Sequence, residues 1–260
     1  VDYIYYIIIA SFISGAFSGI FGVGGGLAMV PILNKVFQLM GVDDSISTYV
    51  AMGTSLGVIA PTSVMSFMEH RRHSEIDMKI VKDWVIVIPV TVVVTSIMVT
   101  HVDKSFLNKS FSIFCSLIGC LMLLKDRLCY KKSFPDNYLK YVWGVVIGFL
   151  SGALGVGGGV FCTILMLFYG SSIYKATAIS SAVSVLISFP GVLVRIYSGW
   201  GVEGLPPLSI GFVNIGAIFF ILPISILVTP FFTKLSYMIG KKYLSIGFSM
   251  LMFTTSFLFA

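Results

Sequence analysis

Charge is scarce in this 260-residue chain: Asp, Glu, Lys and Arg together make up 11% of it. A soluble globular domain carries about 25%. With 57% hydrophobic residues, the composition is that of an integral membrane protein. Apolar segments near 20 residues long point to helical spans. No segment alternates polar and apolar residues as a membrane β-barrel strand does. Cysteine and histidine are also few. Cys115, Cys120, Cys129 and Cys162 form no C-x-x-C pair or metal-ligand spacing, and His70, His73 and His101 form no cluster. Nothing therefore predicts a metal, a cofactor or a redox centre. No Gly-Lys-Ser/Thr follows the glycine-rich stretches and no βαβ context surrounds them, which excludes a nucleotide loop. Residues 1–10 lack a basic n-region and a small-x-small cleavage site, so they read as part of a retained span rather than a signal peptide. The net charge of +6 resides in short loops between spans, where it marks topology rather than nucleic-acid binding.

Glycine, by contrast, occurs in a pattern that the chain uses twice. Ser18-Gly19-Ile20-Phe21-Gly22-Val23-Gly24-Gly25-Gly26 returns as Ser151-Gly152-Ala153-Leu154-Gly155-Val156-Gly157-Gly158-Gly159, offset by 133 residues. Each copy interrupts an apolar run. Glycine inside a helix costs about 1 kcal/mol relative to alanine, so four within five residues predict a break. In lipid, broken helix is tolerated only where the freed backbone groups meet protein, water or solute. Matching breaks in two halves of a membrane protein point to a transporter's substrate site.

The chain is accordingly divided into a first transmembrane repeat, 1–124, a cytoplasmic linker, 125–140, and a second repeat, 141–260. The fold class is all-α, with two tandem homologous repeats, each a glycine-broken helix pair plus three further helices. In the first half these are 3–20 and 27–40, then 47–69, 84–100 and 106–124. The helix over 47–69 carries Ala51-Met52-Gly53-Thr54-Ser55 and Pro61, and is expected to kink or unwind there. In the second half the segments are 141–153, 161–169, 174–195, 208–232 and 243–259. Charge then favours inverted repeats. If residues 70–82, 125–140 and 234–242 share one side, that side holds 12 of the 17 lysines and arginines. The positive-inside rule makes it cytoplasmic and puts both termini in the periplasm.

The first N–H groups of a helix lack partners and carry partial positive charge, which makes a helix start an anion site. Helices starting near Gly25 and Gly158 thus nominate Gly24, Gly25, Gly26, Gly157, Gly158 and Gly159 as substrate-binding residues. Thr54, Ser55, Ser180 and Ser181 would add hydroxyl donors, although Thr54 and Ser181 have the alternative of bonding their own helices. Gly15-x-x-x-Gly19 and Gly148-x-x-x-Gly152 fit helix-packing faces instead. No charge is expected in mid-membrane, since Glu69 and Arg195 fall at span ends. Three functions compete: a secondary anion transporter, an anion channel, and a membrane redox enzyme. The last would need paired cysteines or intramembrane histidines.

At these residues the chain resembles the sulfite exporter TauE/SafE family, also called the toluene-sulfonate uptake permease family. That family's duplicated G-x-G-G-G segment matches Gly22 to Gly26 and Gly155 to Gly159, and its Ala-x-Gly-Thr-Ser pattern matches Ala51 to Ser55. Pro31 keeps the proline that follows the first motif, while Ile164 stands in its place after the second. The resemblance implies a transporter, not an enzyme, for a small inorganic or organic sulfur anion such as sulfite, an organosulfonate or thiosulfate. It implies a bacterial inner membrane, and no cofactor. The anion would bind between the two breaks near mid-membrane. No ATP-binding domain is evident, so an ion gradient or the anion's own gradient would drive transport.

Overall fold

The computed structural model describes residues 2–22, 24–73, 78–99, 104–123 and 134–259. Most of the linker, including Cys129, and the turn containing His101 lie outside the described residues. The first half consists of α1 (Asp2–Phe21), α2 (Gly26–Leu39), α3 (Asp44–His73), α4 (Met78–Trp84), α5 (Val87–Val99) and α6 (Lys104–Leu123). The second half consists of α7 (Leu139–Leu154), α8 (Gly159–Phe168), α9 (Ile173–Ser198), a hairpin of β1 (Ser209–Ile210) and β2 (Val213–Asn214), α10 (Ile215–Met238) and α11 (Lys241–Phe259).

Among the described residues, three helices are each long and apolar enough to cross a membrane: α3 with 30 residues, α9 with 26 and α10 with 24. At 1.5 Å per residue even 24 residues reach about 36 Å, beyond a hydrocarbon core of about 30 Å. α4 and α5 together make a further candidate span, bent by 44°. α2, with 14 residues, and α8, with 10, are too short to cross alone.

Helices of one half pack on helices of the other: α1 on α10, α7 on α5, α3 on α9 and α6 on α11. Small residues bring the backbones together. A β-carbon at Gly15 would lie 2.7 Å from the Ser225 carbonyl, and one at Gly148 would lie 2.9 Å from Thr91 Cβ. Hydroxyls add bonds across the same seam, with Ser225 donating to the Ser11 carbonyl at 2.8 Å and Thr229 to that of Gly15 at 3.3 Å. The expected packing role of Gly15, Gly19, Gly148 and Gly152 therefore matches their surroundings.

These contacts also set direction. α1 runs alongside α10 in the same sense, Gly15 meeting Ser225 and Gly19 meeting Thr229 and Thr233. α2 then returns along α3, with Gly26 against Ile59 and Ser47 donating to Asn34 at 2.7 Å. The pair forms a V whose tip lies inside the molecule and whose mouth is where α3 begins. α7 likewise runs with α5, Gly144 meeting Trp84 and Gly152 meeting Val92 and Thr95. α8 returns, so that Trp143 donates to the Tyr169 hydroxyl at 3.2 Å. This second V opens at the opposite end.

That end is the basic one. Lys79 pairs with Asp136 and Lys140 with Asp83, each at 2.7 Å, and Trp84 donates to the Lys140 carbonyl at 2.8 Å. His70, at the end of α3, meets the Tyr237 hydroxyl at 2.9 Å. Segments of three basic regions thus lie together. The Asp136 carboxyl is held below its usual range by the hydrogen bond from Lys79.

Three segment expectations are narrowed or corrected. Of a kink or an unwinding in α3, the helix excludes the unwinding, since it stays helical through Pro61. Thr62 donates to the Val58 carbonyl at 2.8 Å and Ser63 to that of Ala60 at 3.0 Å. Such hydroxyls help absorb a proline inside a membrane helix. The span expected from Trp84 starts earlier, at Met78, and breaks at Val85 and Ile86. The segment expected to start a helix at Leu208 begins with the hairpin instead. Helix starts only at Ile215, because Asn214 caps it by accepting from the Ala217 N–H at 2.7 Å.

Candidate functional site

Both glycine segments break the helix as the sequence predicts. α2 starts from Gly25 at φ 73° and α8 from Gly158 at φ 62°, both left-handed. Any residue with a β-carbon would be strained there by about 1–2 kcal/mol. Neither helix start has a side-chain cap. Their leading N–H groups are therefore the kind of donor that an anion can use.

α3 and α9 run antiparallel between the two breaks and touch both. From α3, Ser55 and Ile59 line Gly26, a β-carbon there lying 3.1 Å from Ser55 Oγ, while Met52 covers Gly155, whose β-carbon would lie 2.6 Å from Met52 Cβ. From α9, the Ser180 hydroxyl donates to the Gly159 carbonyl at 2.6 Å and is 3.2 Å from that of Gly22. Ser184 donates to the same Gly22 carbonyl at 3.3 Å. Two segments far apart in sequence are thus joined through one helix.

The nominated residues divide into groups. Gly24 packs on Ile59, Gly25 on Ser14 and Gly158 on Ile187 and Ser151, so each glycine fills a space that no side chain fits. Gly157 is buried. Thr54 does not face the breaks: its oxygen accepts the Asn214 N–H at 2.9 Å and fastens the hairpin to α3. Ser181 donates to the Ala178 carbonyl of its own helix at 2.8 Å. Ser180 spends its proton on the breaks' carbonyls. Ser55 is fully buried and has no hydrogen-bond partner.

Ser14, which the sequence reading missed, is in the same state: fully buried, without a partner, and against Gly25. Burying an unpaired hydroxyl costs about 1–3 kcal/mol. Ser14 and Ser55 flank the start of α2, where leading N–H groups are also uncapped. At the second break Ser151 donates to the Ile147 carbonyl at 2.5 Å and Ser180 to that of Gly159, and the unpaired buried hydroxyl is that of Thr163, one turn into α8. Open donor capacity is therefore present at both breaks, with two unpaired hydroxyls at the first. Ser14 was hidden because it lies on the helix before the glycine motif, and only the fold brings it back beside Gly25.

Arg195 was also missed. It sits one turn before the end of α9, yet its side chain is fully buried. The residue turns inward beneath the hairpin, where the Phe212 N–H donates to the Arg195 carbonyl at 3.1 Å. A signal was present: an arginine at the end of an apolar run, after Pro190 and Gly191, is by default a functional candidate in a membrane protein.

A family model described as "Sulfite exporter TauE/SafE" matches residues 7–259. The chain is 29% identical over 225 residues to a Haemophilus influenzae protein named "Probable membrane transporter protein", covering 85% of this chain and 83% of that one. It is 30% identical over 247 residues to a similarly named protein of Methanocaldococcus jannaschii, covering 94% and 90%. A third relative, the Bacillus subtilis "Probable membrane transporter protein YunE", is 27% identical over 217 residues, covering 74% and 78%. No solved structure matches.

Proposed function

Because the chain belongs to the sulfite exporter TauE/SafE family, a family of multi-pass membrane transporters, we propose that it carries small sulfur-containing anions by secondary transport. The substrate class is sulfite, an organosulfonate or thiosulfate. The observation that carries this reading is the first break, where the uncapped start of α2 is flanked by Ser14 and Ser55, both buried without partners. Neutral donors of this kind bind an anion without the tight hold of an ion pair. The second break, joined to the first through Ser180, contributes the facing wall near mid-membrane.

The same reading treats the two Vs as re-entrant pairs entering from opposite sides. α3, α4 with α5, and α6 then cross the bilayer in the first half, and α9, α10 and α11 in the second. Three crossings per half make the repeats inverted. The reciprocal packing of α1 on α10 and α7 on α5 supports this arrangement. The basic end faces the cytoplasm, and both termini face the other side of an inner membrane.

Counterflow in proteoliposomes tests the function. Vesicles preloaded with unlabelled sulfite, thiosulfate or a sulfonate should accumulate the labelled anion transiently, without net current. If no sulfur anion is taken up, the substrate class is wrong; uptake carried entirely as current through an open pore would mean a channel.

A further inference from the structure

Among the described residues, Arg195 is the fully buried cation that no acid faces. Its Nη2 reaches only the Met52 sulfur, at 3.8 Å, and Nε and Nη1 have no partner. A thioether is a weak acceptor. The Tyr49 ring lies 5.9 Å from the guanidinium carbon, at the outer limit of a useful cation–π contact. Tyr49 in turn packs on Phe212 of the hairpin at 5.5 Å, which closes the site from above.

This environment argues against a purely structural role. Arginine keeps its charge in proteins, so it cannot escape burial by losing a proton. An unpaired buried charge is strongly destabilising, and an apolar residue of similar volume would pack here without that penalty. The guanidinium also adjoins the breaks. Met52, which it touches, covers Gly155, and Ser55 lies one turn further along α3 beside Gly26.

Building on the anion-transport reading, we propose that Arg195 is the charged ligand of an oxyanion subsite, bounded by Tyr49, Met52 and the hairpin. It lies toward the end of the molecule opposite the basic one. A guanidinium presents five N–H donors in a planar fork, which suits an anion with several oxygens such as sulfite, thiosulfate or a sulfonate better than a halide. The subsite would hold the anion one helical turn from the neutral donors of the first break. Charge would then favour entry from the hairpin side, while the neutral break would let the anion move on.

The test measures affinity and melting temperature of the purified full chain with sulfite, thiosulfate, methanesulfonate and phosphate, against chloride at equal ionic strength. Wild type should be stabilised by at least one oxyanion. Arg195→Gln should weaken that affinity by about tenfold or more, and should melt higher than wild type without anion, because it removes an unpaired charge. Arg195→Lys, which keeps the charge but not the fork, should fall between them. Unchanged affinity in both variants overturns the proposal. So does a wild type that no oxyanion stabilises, or an Arg195→Gln that melts lower without anion and binds normally. If Arg195→Gln does not fold, unchanged affinity in Arg195→Lys is sufficient to overturn it. The two readings fail separately. Arg195-dependent binding of phosphate without uptake of any sulfur anion keeps the subsite and removes the substrate class. Normal sulfur-anion transport by Arg195→Gln does the reverse.

Discussion

The Ser180 hydroxyl, in the second half of the chain, lies 3.2 Å from the carbonyl oxygen of Gly22 in the first. Its shorter bond, 2.6 Å, goes to Gly159. One side chain therefore touches both broken helices, at the Gly22 carbonyl just past the end of α1 and at the Gly159 carbonyl that opens α8. A movement of α9 changes the environment of both breaks at once, which is the kind of coupling a carrier requires between its two halves.

Ser14 and Ser55 isolate function from folding better than the glycines do. A methyl at Gly25 would be strained by its φ of 73° and would press on Ser14, so Gly25→Ala should lose structure and activity together. Ser14→Ala and Ser55→Ala remove only unpaired hydroxyls and should melt at or above the wild-type temperature. If each hydroxyl donates to the anion, each variant should lose about 1.5–3 kcal/mol of binding. Equilibrium binding of labelled sulfite or thiosulfate is the measurement. Wild-type affinity in both would remove the anion from the first break.

Thr54 and Ser181 should separate by stability rather than affinity. Thr54→Val strips the buried Asn214 N–H of its acceptor and should destabilise the protein by about 1–3 kcal/mol. Ser181→Ala removes a bond within its own helix and should be close to neutral. Thermal unfolding in detergent reads both. Equal losses would mean that the hairpin is not held through Thr54.

The packing glycines should fail in proportion to how closely backbone faces backbone. A β-carbon at Gly15 would lie 2.7 Å from Ser225 O, whereas at Gly247 the nearest atom would be 3.8 Å away. Gly15→Ala should lose about 1–3 kcal/mol through overpacking, and Gly247→Ala little. The comparison needs only melting curves and monodispersity.

Single cysteines placed at Tyr138 and Glu203, in a cysteine-free background, should label from opposite sides of the membrane. Both positions are exposed, and they mark the basic end and the hairpin end respectively. Labelling of both from one side would rule out the inverted arrangement, which demands an odd number of crossings between them.

Composition alone determined that this is a helical membrane protein, because so few charges and so many apolar residues leave no soluble alternative. The doubled glycine motif determined where two helices break, since backbone entropy and the missing β-carbon act locally. Gly15 and Gly148 were likewise legible as packing positions from their spacing. The fate of each polar side chain was not. Thr54 and Ser55 are neighbours, yet one holds the hairpin and the other is left without a partner, because successive helical residues point about 100° apart toward elements distant in sequence. Arg195 shows the same limit. Its position near a helix end suggested access to water, and only the hairpin folding back over α9, with α3 packed alongside, buried its charge. Partnership between side chains is decided by tertiary packing.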